Sequence, residues 1–380
     1  MLKKISIAIA GAILMSFGLG SSVKAADFEF EVLASGLDSP RGMTFGPDGA
    51  LYVTEAGRGG AGPCIPAPAG SVSSDPCYGQ TGAITRIQNG RSKRVVTGLP
   101  SLASPEGVLA YGPQDIAFDS TGNPYVIIGF AGDQNLRDNV IGNSEFGQLI
   151  AINKFNRGNK GASWTRLADL TGYEAANNPD GEDLTSNPYA FLIRNGKAFI
   201  VDAGANDLLK VGLNGSELAL KAVFNTRLIT DAASGANIPV QSVPTSIAIG
   251  PDHALYVGEF TGFPYPSGEA RIYRINSNNQ SEVYLDGFTN IVDLAFDSKG
   301  NLYVLQFSAD QITDVNRIIG ALIRVSPDGT RTTIADGLLT PTALALSSDG
   351  AIYIANNGYT FGEGEILRIV PKDDSTSVPE

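Results

Sequence analysis

Side chains that could bind a ligand or react with one stand at two recurring positions in this 380-residue sequence. One set lies at the start of apolar segments and comprises Arg41, Gln114, Asp115, Tyr189, Thr245, Asp293 and Thr342. The other set follows an aromatic residue by three places and comprises Glu55, Asp202, Glu259, Gln306 and Asn356. Carboxylate and amide oxygens suit Ca²⁺, and a bound Ca²⁺ could polarise a lactone or a similar carbonyl. Binding and metal-assisted catalysis are therefore both open to these residues.

The two sets differ in how regularly they recur. An acid or amide follows the aromatic residue through most of the chain, which favours a structural role in bonding the backbone amides of a neighbouring turn. Asp115 and Asp293 follow the repeat less closely. They are therefore the better candidates for catalysis or for a Ca²⁺ site.

Histidine and cysteine chemistry is restricted. His253 is the only histidine, which argues against a histidine-based triad, a histidine-ligated zinc site and a histidine general base. Cys64 and Cys77 are the only cysteines, and both lie in a Gly/Pro-rich segment. In an exported protein they predict a disulfide, whereas a redox-active pair is disfavoured because their spacing is unlike C-x-x-C.

A six-fold repeat supplies the elements that would position these side chains. The copies align without gaps as strand, tight turn and strand: MTFGPDGALYV from Met43, IAFDSTGNPYV from Ile116, AFLIRNGKAFI from Ala190, IAIGPDHALYV from Ile247, LAFDSKGNLYV from Leu294 and LALSSDGAIYI from Leu344. The turn position, which needs positive φ, is a glycine in every copy except the fourth, where it is His253. The period predicts an all-β fold, a six-bladed β-propeller.

The last copy lacks a fourth strand, and an unmatched strand precedes the first copy. A third strand follows each hairpin, ending with GEILRI from Gly364, after which the chain enters a polar tail over 372–380. Residues 30–37, FEVLASGL, have the pattern of a fourth strand. We expect them to pair with the strand at Gly364 and close the ring, because closure removes exposed sheet edges.

The expected organisation is a signal peptide, one propeller and a tail. A basic start, a short apolar run and small residues predict a secretory signal peptide over 1–25, cleaved after Ala25 or, alternatively, after Ala26. We expect the propeller over 27–371 and an exported protein, periplasmic or extracellular. The predicted blades span about 39–100, 113–171, 187–225, 244–288, 289–338 and 341–370, the last completed by 28–37.

The charge distribution argues against two classes of partner. The sequence carries a net charge of −12, and loss of Lys3, Lys4 and Lys24 with the signal peptide makes the mature chain −15. Such an acidic surface repels nucleic-acid phosphates and anionic lipid headgroups. We therefore expect no nucleic-acid partner, no membrane partner and a monomer.

The insertions gather on one face of the predicted disc. Long stretches between second and third strands, together with two blade connections, cover 56–81, 127–146, 258–269, 306–319, 355–363, 172–186 and 225–243. Insertions on one face of a repeat array usually mark its binding face. Aromatic residues such as Phe263 and Tyr265 suit an aromatic or apolar ligand, although the same rings could instead pack the loops together.

Several segments resemble one known family. SPRGMTFGPDGALYVTEAGRGG from Ser39, YEAANNPDG from Tyr173, SNPYAFLIRNG from Ser186 and VPTSIAIGPDHALYVGEFTGFPYP from Val243 are similar to segments of the ScyD/ScyE family, exported NHL-like propellers named after products of the cyanobacterial scytonemin gene cluster. The resemblance covers nearly all of the mature chain. This sequence departs from the repeat pattern at His253. It implies an exported role in assembling an aromatic secondary metabolite or sheath pigment, and it offers no catalytic residues to transfer.

These observations lead to three hypotheses for the function. The leading one is a protein that binds an aromatic or apolar metabolite, or a partner protein, at the channel mouth. The residues expected to bind are Arg41, Glu55, Gln114, Tyr189, Asp202, Glu259, Phe263, Tyr265 and Asn356. The alternative is a lactonase- or cyclase-like enzyme that uses Asp115 and Asp293 with Ca²⁺ as cofactor, and the third is a structural sheath or scaffold component.

Overall fold

The computed structural model describes residues 28–67, 73–106, 110–155, 161–230, 234–314 and 317–371. The predicted signal peptide over 1–25 and the polar tail over 372–380 lie outside the described residues. Within the described ranges, no helix is long and apolar enough to cross a membrane.

Six four-stranded antiparallel sheets form the blades, which confirms the predicted all-β, six-bladed propeller. The first blade contains β2 (Pro40–Phe45), β3 (Leu51–Glu55), β4 (Cys77–Gln88) and β5 (Arg91–Ala103). The second contains β6 (Pro113–Phe118), β7 (Pro124–Ile128), β8 (Gln148–Lys154) and β9 (Ser163–Asp169). The third contains β10 (Pro188–Arg194), β11 (Lys197–Asp202), β12 (Asp207–Gly212) and β13 (Ala219–Val223). The fourth blade contains β16 (Pro244–Ile249), β17 (Leu255–Glu259), β18 (Ala270–Ile275) and β19 (Ser281–Phe288). The fifth contains β20 (Ile291–Phe296), β21 (Leu302–Gln306), β22 (Ile319–Val325) and β23 (Arg331–Leu339).

The sixth blade joins the two ends of the chain. It contains β24 (Ala343–Leu346), β25 (Ile352–Asn356), β26 (Phe361–Pro371) and the N-terminal strand β1 (Phe28–Asp38). β1 pairs antiparallel with β26, with Phe30 opposite Ile369 and Leu37 opposite Gly364. The predicted closure is therefore confirmed, and this pairing covers the edge that β26 would otherwise expose.

Two blade connections form elements of their own. A short helix, α1 (Leu170–Asn177), links the second and third blades. A hairpin of β14 (Arg227–Thr230) and β15 (Asn237–Val240) lies between the third and fourth blades. In the first blade, Cys64 and Cys77 form the predicted disulfide.

The core is divided into clusters that lie between neighbouring blades. The recurrent aromatic of a blade packs on the first strand of the next one: Tyr52 lies 4.9 Å from Phe118, between ring centroids, and Tyr256 lies 5.0 Å from Phe296. Edge-to-face contacts of this kind are favourable for aromatic pairs. The repeat therefore specifies how each blade packs on the next.

The third blade departs from the gapless alignment by one residue. Its hairpin turns through only Asn195 and Gly196, both at positive φ, whereas the other five hairpins use longer turns. Two-residue turns of this type match the twist of the flanking strands. Phe191, not Ala190, therefore occupies the position that Ile116 has in the second blade. Tyr189 then corresponds to Gln114, the bulged residue of the second blade.

Candidate functional site

A ring of six residues, one from each blade, encircles the mouth of the central channel: Arg41, Gln114, Tyr189, Thr245, Val292 and Thr342. In five blades this residue lies at a register shift of the first strand, for example between Pro113 and Asp115. A β-bulge redirects the side chain at that point, which explains how strands packed in blades can present side chains to the axis.

A cavity of ≈ 440 Å³ opens above this ring. Its wall comes from blade connections and from the loops between second and third strands, as the distribution of insertions predicts. The wall contains seven aromatic side chains: Tyr111, Tyr189, Phe260, Phe263, Tyr265, Phe307 and Tyr359. A concave site of this size, lined by aromatic and aliphatic side chains together with polar groups, is typical of small-molecule binding sites.

Five of these aromatic side chains form a continuous series of contacts across three loops. Phe263 and Tyr265 are 6.0 Å apart between ring centroids, and Tyr265 and Phe260 are 5.9 Å apart. Phe260 lies 5.7 Å from Phe307, which lies 5.8 Å from Tyr359. Phe263 is 76% exposed, so the inner rings hold the wall together while Phe263 stays free at its rim.

Burial keeps the tyrosine hydroxyls of the cavity protonated. It raises the pKa of Tyr359 to about 12 and also raises the pKa values of Tyr111, Tyr189 and Tyr265. A neutral phenol both donates and accepts hydrogen bonds. The wall can therefore satisfy polar groups on a ligand without adding charge.

Arg41 is the only charged side chain that lines this cavity among the described residues. It is 7% exposed, and its Nη1 and Nη2 atoms donate to the carbonyl oxygens of Gly358 and Ala110, each at 2.8 Å. No ion pair in the described part of the chain involves it. The guanidinium is thus held in place by backbone carbonyls, with its charge unneutralised by a carboxylate.

A second ring lies one residue deeper and lines a smaller cavity of ≈ 20 Å³, room for about one water molecule. Asp115 and Asp293 belong to this ring and lie three blades apart. Asp115 accepts backbone N–H groups of Ile116 and Phe191 at 2.8 and 3.0 Å. Asp293 accepts those of Leu294 and Leu344 at 2.8 and 2.7 Å. Each carboxylate therefore clamps its own blade to the next.

The environment of these two carboxyls favours their neutral forms. Burial raises the pKa of Asp115 to about 8, with a further contribution from the charge of Asp293. Burial also raises the pKa of Asp293 to about 7. Both groups can exchange protons close to neutral pH.

The deeper ring fits Ca²⁺ poorly. Its other positions include Gly42, Ala190 and Ala343, which carry no side-chain oxygen, and every carboxylate oxygen of the two aspartates already accepts a backbone N–H. Ca²⁺ takes about six to eight oxygen ligands. A Cβ at Gly42 would lie 2.1 Å from Asp115 Oδ1, so glycine is required for the close approach of these blades.

The structure brings five of the predicted binding residues into the mouth cavity: Arg41, Gln114, Tyr189, Phe263 and Tyr265. The remaining four, Glu55, Asp202, Glu259 and Asn356, are buried outside it. Glu55 bonds Arg94, and Asn356 donates to Glu365 at 2.8 Å. Glu55 and Asn356 therefore bond strands of their own blades.

Sequence reasoning did not single out Asn187, and it placed Gln241 and Val243 on the binding face only as part of the segment 225–243. Proline opens the first strand in four blades, at Pro40, Pro113, Pro188 and Pro244. Asn187 and Val243 directly precede two of these prolines, so the prolines were an available signal for this part of the wall.

Comparisons with known proteins show the fold alone. A scan of protein-family models and a search of curated protein sequences find no match. Among solved structures, the calcium structure of a Trichoderma reesei protein of Carbohydrate-Active Enzymes family AA12 is 11% identical with a TM-score of 0.53, over 92% of this chain and 97% of that one.

Two further solved structures share the fold of this chain. The PQQ-bound aldose sugar dehydrogenase of Streptomyces coelicolor is 11% identical with a TM-score of 0.53, over 91% of this chain and 99% of that one. A gluconolactonase from Xanthomonas campestris is 9% identical with a TM-score of 0.50, over 91% of this chain and 90% of that one. The chain shares the six-bladed propeller of the gluconolactonase-like folds, and membership of the ScyD/ScyE family stays a prediction.

Proposed function

We propose that this protein binds an aromatic small molecule in the mouth cavity and that the ligand carries an anionic or electron-rich group that reaches Arg41. The observation that carries the proposal is the ≈ 440 Å³ cavity whose aromatic wall contains a single, unneutralised guanidinium. A concave cavity favours a small molecule over a protein partner. The predicted export signal and the resemblance to the ScyD/ScyE family point to an aromatic secondary metabolite outside the cytoplasm.

The polarity of the site selects among aromatic ligands. Arg41 uses two of its nitrogens on backbone carbonyls, and a guanidinium has further N–H groups with which to bind a carboxylate, a phenolate or a carbonyl. The chain as a whole is acidic, at −12, so an anion must be recognised by a local cation. Protonated aromatic amines, in contrast, gain no electrostatic attraction from the Arg41 guanidinium.

The test is calorimetric titration with indoleacetate and hydroxyphenylacetate, compared with their neutral amides. The acids should bind more tightly, and Arg41→Gln should remove that preference with a loss of roughly tenfold or more, the usual effect of one charged hydrogen bond. The double variant Phe263→Ala, Tyr265→Ala should weaken the binding of acids and amides alike. Tyr284→Ala is the matched control, because this exposed ring lies outside the cavity.

Two results would contradict the proposal. One is the absence of binding by every acid and amide. The other is binding that Arg41→Gln and the Phe263→Ala, Tyr265→Ala double variant both leave unchanged. Since Phe263 is exposed, its replacement tests the site without loss of the fold.

A second candidate function is acid–base catalysis by Asp115 and Asp293. It is favoured by their raised pKa values, about 8 and about 7, beside a cavity below the mouth. Lactone hydrolysis should then depend on pH in this range and disappear in both Asp115→Asn and Asp293→Asn. Lactone turnover at the uncatalysed rate across pH 5–9 rules this candidate out.

A further inference from the structure

Three buried acids form a carboxyl corner in the third blade, defined as Glu174, Asp202 and Asp207. Asp202 ends β11 and Asp207 begins β12, and the two are directly opposite in the strand pairing. Their exposures are 1% and 0%. Like charges directly opposite one another destabilise a sheet, and burial increases their repulsion.

Glu174 reaches the same corner from α1. Thr171 Oγ1 lies 3.2 Å from Ser186 Oγ, and Ser186 Oγ donates to Asp202 Oδ2 at 2.6 Å. Glu174 follows Thr171 by three places and therefore shares its helix face. It is 1% exposed, so this face of α1 packs on the end of β11.

The three acids differ in how their oxygens are satisfied. Asp202 accepts four hydrogen bonds, from Ser186 and from the backbone N–H groups of Asn187, Gly204 and Ala205. Both carboxyl oxygens of Glu174 and both of Asp207 are buried and have no hydrogen-bond partner in the described part of the chain.

No cation of the described chain neutralises this corner. None of its three acids takes part in an ion pair. The charges that act on Glu174 are those of Asp202, Asp180 and Asp183, and with burial they raise its pKa to about 8. Burial and the charges of Asp202, Glu174 and Asp180 raise the pKa of Asp207 well above its usual value.

Protonation alone leaves the corner unsatisfied. A protonated carboxyl still requires an acceptor for its O–H and a donor for its second oxygen, and buried polar groups without partners are costly. A cation neutralises the charge and occupies the lone pairs at once. The available donors are all oxygens, which are the ligands of hard divalent ions.

We propose that the carboxyl corner binds Ca²⁺ through Glu174 and Asp207, with water completing the coordination. Among the described residues, no group of three or more Asp, Glu, His or Cys side chains is arranged to hold a metal ion, so the site relies on two carboxylates. Ca²⁺ tolerates irregular geometry and mixed carboxylate, amide and water ligands, whereas Mg²⁺ demands a near-ideal octahedron. This site is distinct from the deeper ring of the channel, to which Asp115 and Asp293 belong.

The ion would connect α1 to the third blade. Glu174 belongs to α1 and Asp207 to β12, and between them the chain runs through Asp180, which accepts from Asn206 Nδ2 at 2.9 Å. This connection leads directly into Asn187 and Tyr189 of the mouth cavity. Bound Ca²⁺ would therefore hold that part of the cavity wall against the third blade.

The experiment is titration of Ca²⁺ and Mg²⁺ into the EDTA-treated, desalted protein, followed by calorimetry and by thermal unfolding. We expect one Ca²⁺ per chain with a dissociation constant of about 10⁻³ M or tighter, a rise in Tm and a weaker response to Mg²⁺. Glu174→Gln with Asp207→Asn should abolish the Ca²⁺ response. In EDTA this variant should unfold at or above the wild-type temperature, which shows that it is folded.

The matched control is Asp115→Asn with Asp293→Asn, which should retain the Ca²⁺ response. The proposal is overturned if the wild type shows neither heat nor a Tm shift with Ca²⁺. It is also overturned if the Glu174→Gln, Asp207→Asn variant still responds, or if only the channel variant loses the response. None of these readouts depends on a ligand in the mouth cavity.

Discussion

Glu259 of the fourth blade and Asp202 of the third occupy the same place at the end of a second strand, and both are fully buried. Glu259 forms a two-point ion pair with Arg227, with its Oε1 2.6 Å from Nη2 and its Oε2 3.0 Å from Nη1. It also accepts from Ser242, Tyr273 and the amide of Arg271. Asp202 instead faces Asp207, and no ion pair within the described residues involves it.

The difference shows how insertions adapt a repeat. Arg227 begins β14, which belongs to the inserted hairpin, so the fourth blade receives its counter-charge from an added element. In the first blade, Arg94 of β5 lies 2.5 Å from Glu55. The connection before the third blade supplies another acid, Glu174, and no base. The same strand position thus forms an internal ion pair in the first and fourth blades, whereas in the third blade it lies beside two further buried acids, Glu174 and Asp207.

The largest effect is expected from breaking the pair in the fourth blade. Arg227→Met leaves Glu259 charged and buried, and loss of one partner of such a pair typically costs about 3–5 kcal/mol in the free energy of unfolding. Urea denaturation measures this loss. The double variant Arg227→Met, Glu259→Gln should recover most of it, and a loss below about 1 kcal/mol in the single variant would contradict the assigned role.

An intermediate effect is expected from pH in the absence of divalent ions. The raised pKa of Glu174, about 8, means that the folded state binds more protons than the unfolded state between the ordinary glutamate range and pH 8. Stability should therefore fall as pH rises through this window, by about 1–3 kcal/mol for an unsatisfied buried acid. Denaturation in EDTA at pH 5 and pH 9 measures it.

The control for pH is the variant Glu174→Gln with Asp207→Asn. Asp115 and Asp293 contribute in the same direction, because their pKa values are also raised, to about 8 and about 7. The variant should therefore show a smaller fall rather than none. If the free energy of unfolding of this variant falls as much as that of the wild type, the carboxyl corner does not contribute to the pH dependence.

The smallest effect is expected in the first blade. Arg94→Met should cost about 1 kcal/mol, because its guanidinium is 40% exposed and water screens the pair. Glu55 also keeps the hydroxyl of Thr85 and the amide of Asp38 as donors. If Arg94→Met is as damaging as Arg227→Met under the same denaturation conditions, exposure of the arginine does not explain the difference between the blades.

Much of the fold was predictable from residue patterns because it is built from local features repeated along the chain. Turn glycines such as Gly49 mark the hairpins, and the spare strand over 30–37 matches the missing strand beside Gly364. The disulfide was predictable because only Cys64 and Cys77 are available. The third hairpin was misaligned because its two-residue turn, Asn195–Gly196, is shorter than the others.

The candidate site was predicted only in part. Bulge positions such as Gln114 and Tyr189 could be placed near the axis from their position in the repeat. The partners of the strand-end acids could not, because Arg227 and Glu174 belong to insertions that follow no repeat. The contact between Asp202 and Asp207 depends on register, which the sequence pattern leaves open at polar strand ends.

By itself, the sequence determined the number of blades, the closure by β1 and the face that carries the insertions, since each follows from local periodicity and chain order. Only the tertiary structure decided which oxygen-bearing side chains converge. It joined Arg41 to an aromatic wall drawn from several loops, and it buried the carboxyl groups of Glu174 and Asp207 without a hydrogen-bond partner among the described residues. These contacts join residues distant in sequence, and they depend on how bulges and inserted segments pack around a ring already closed.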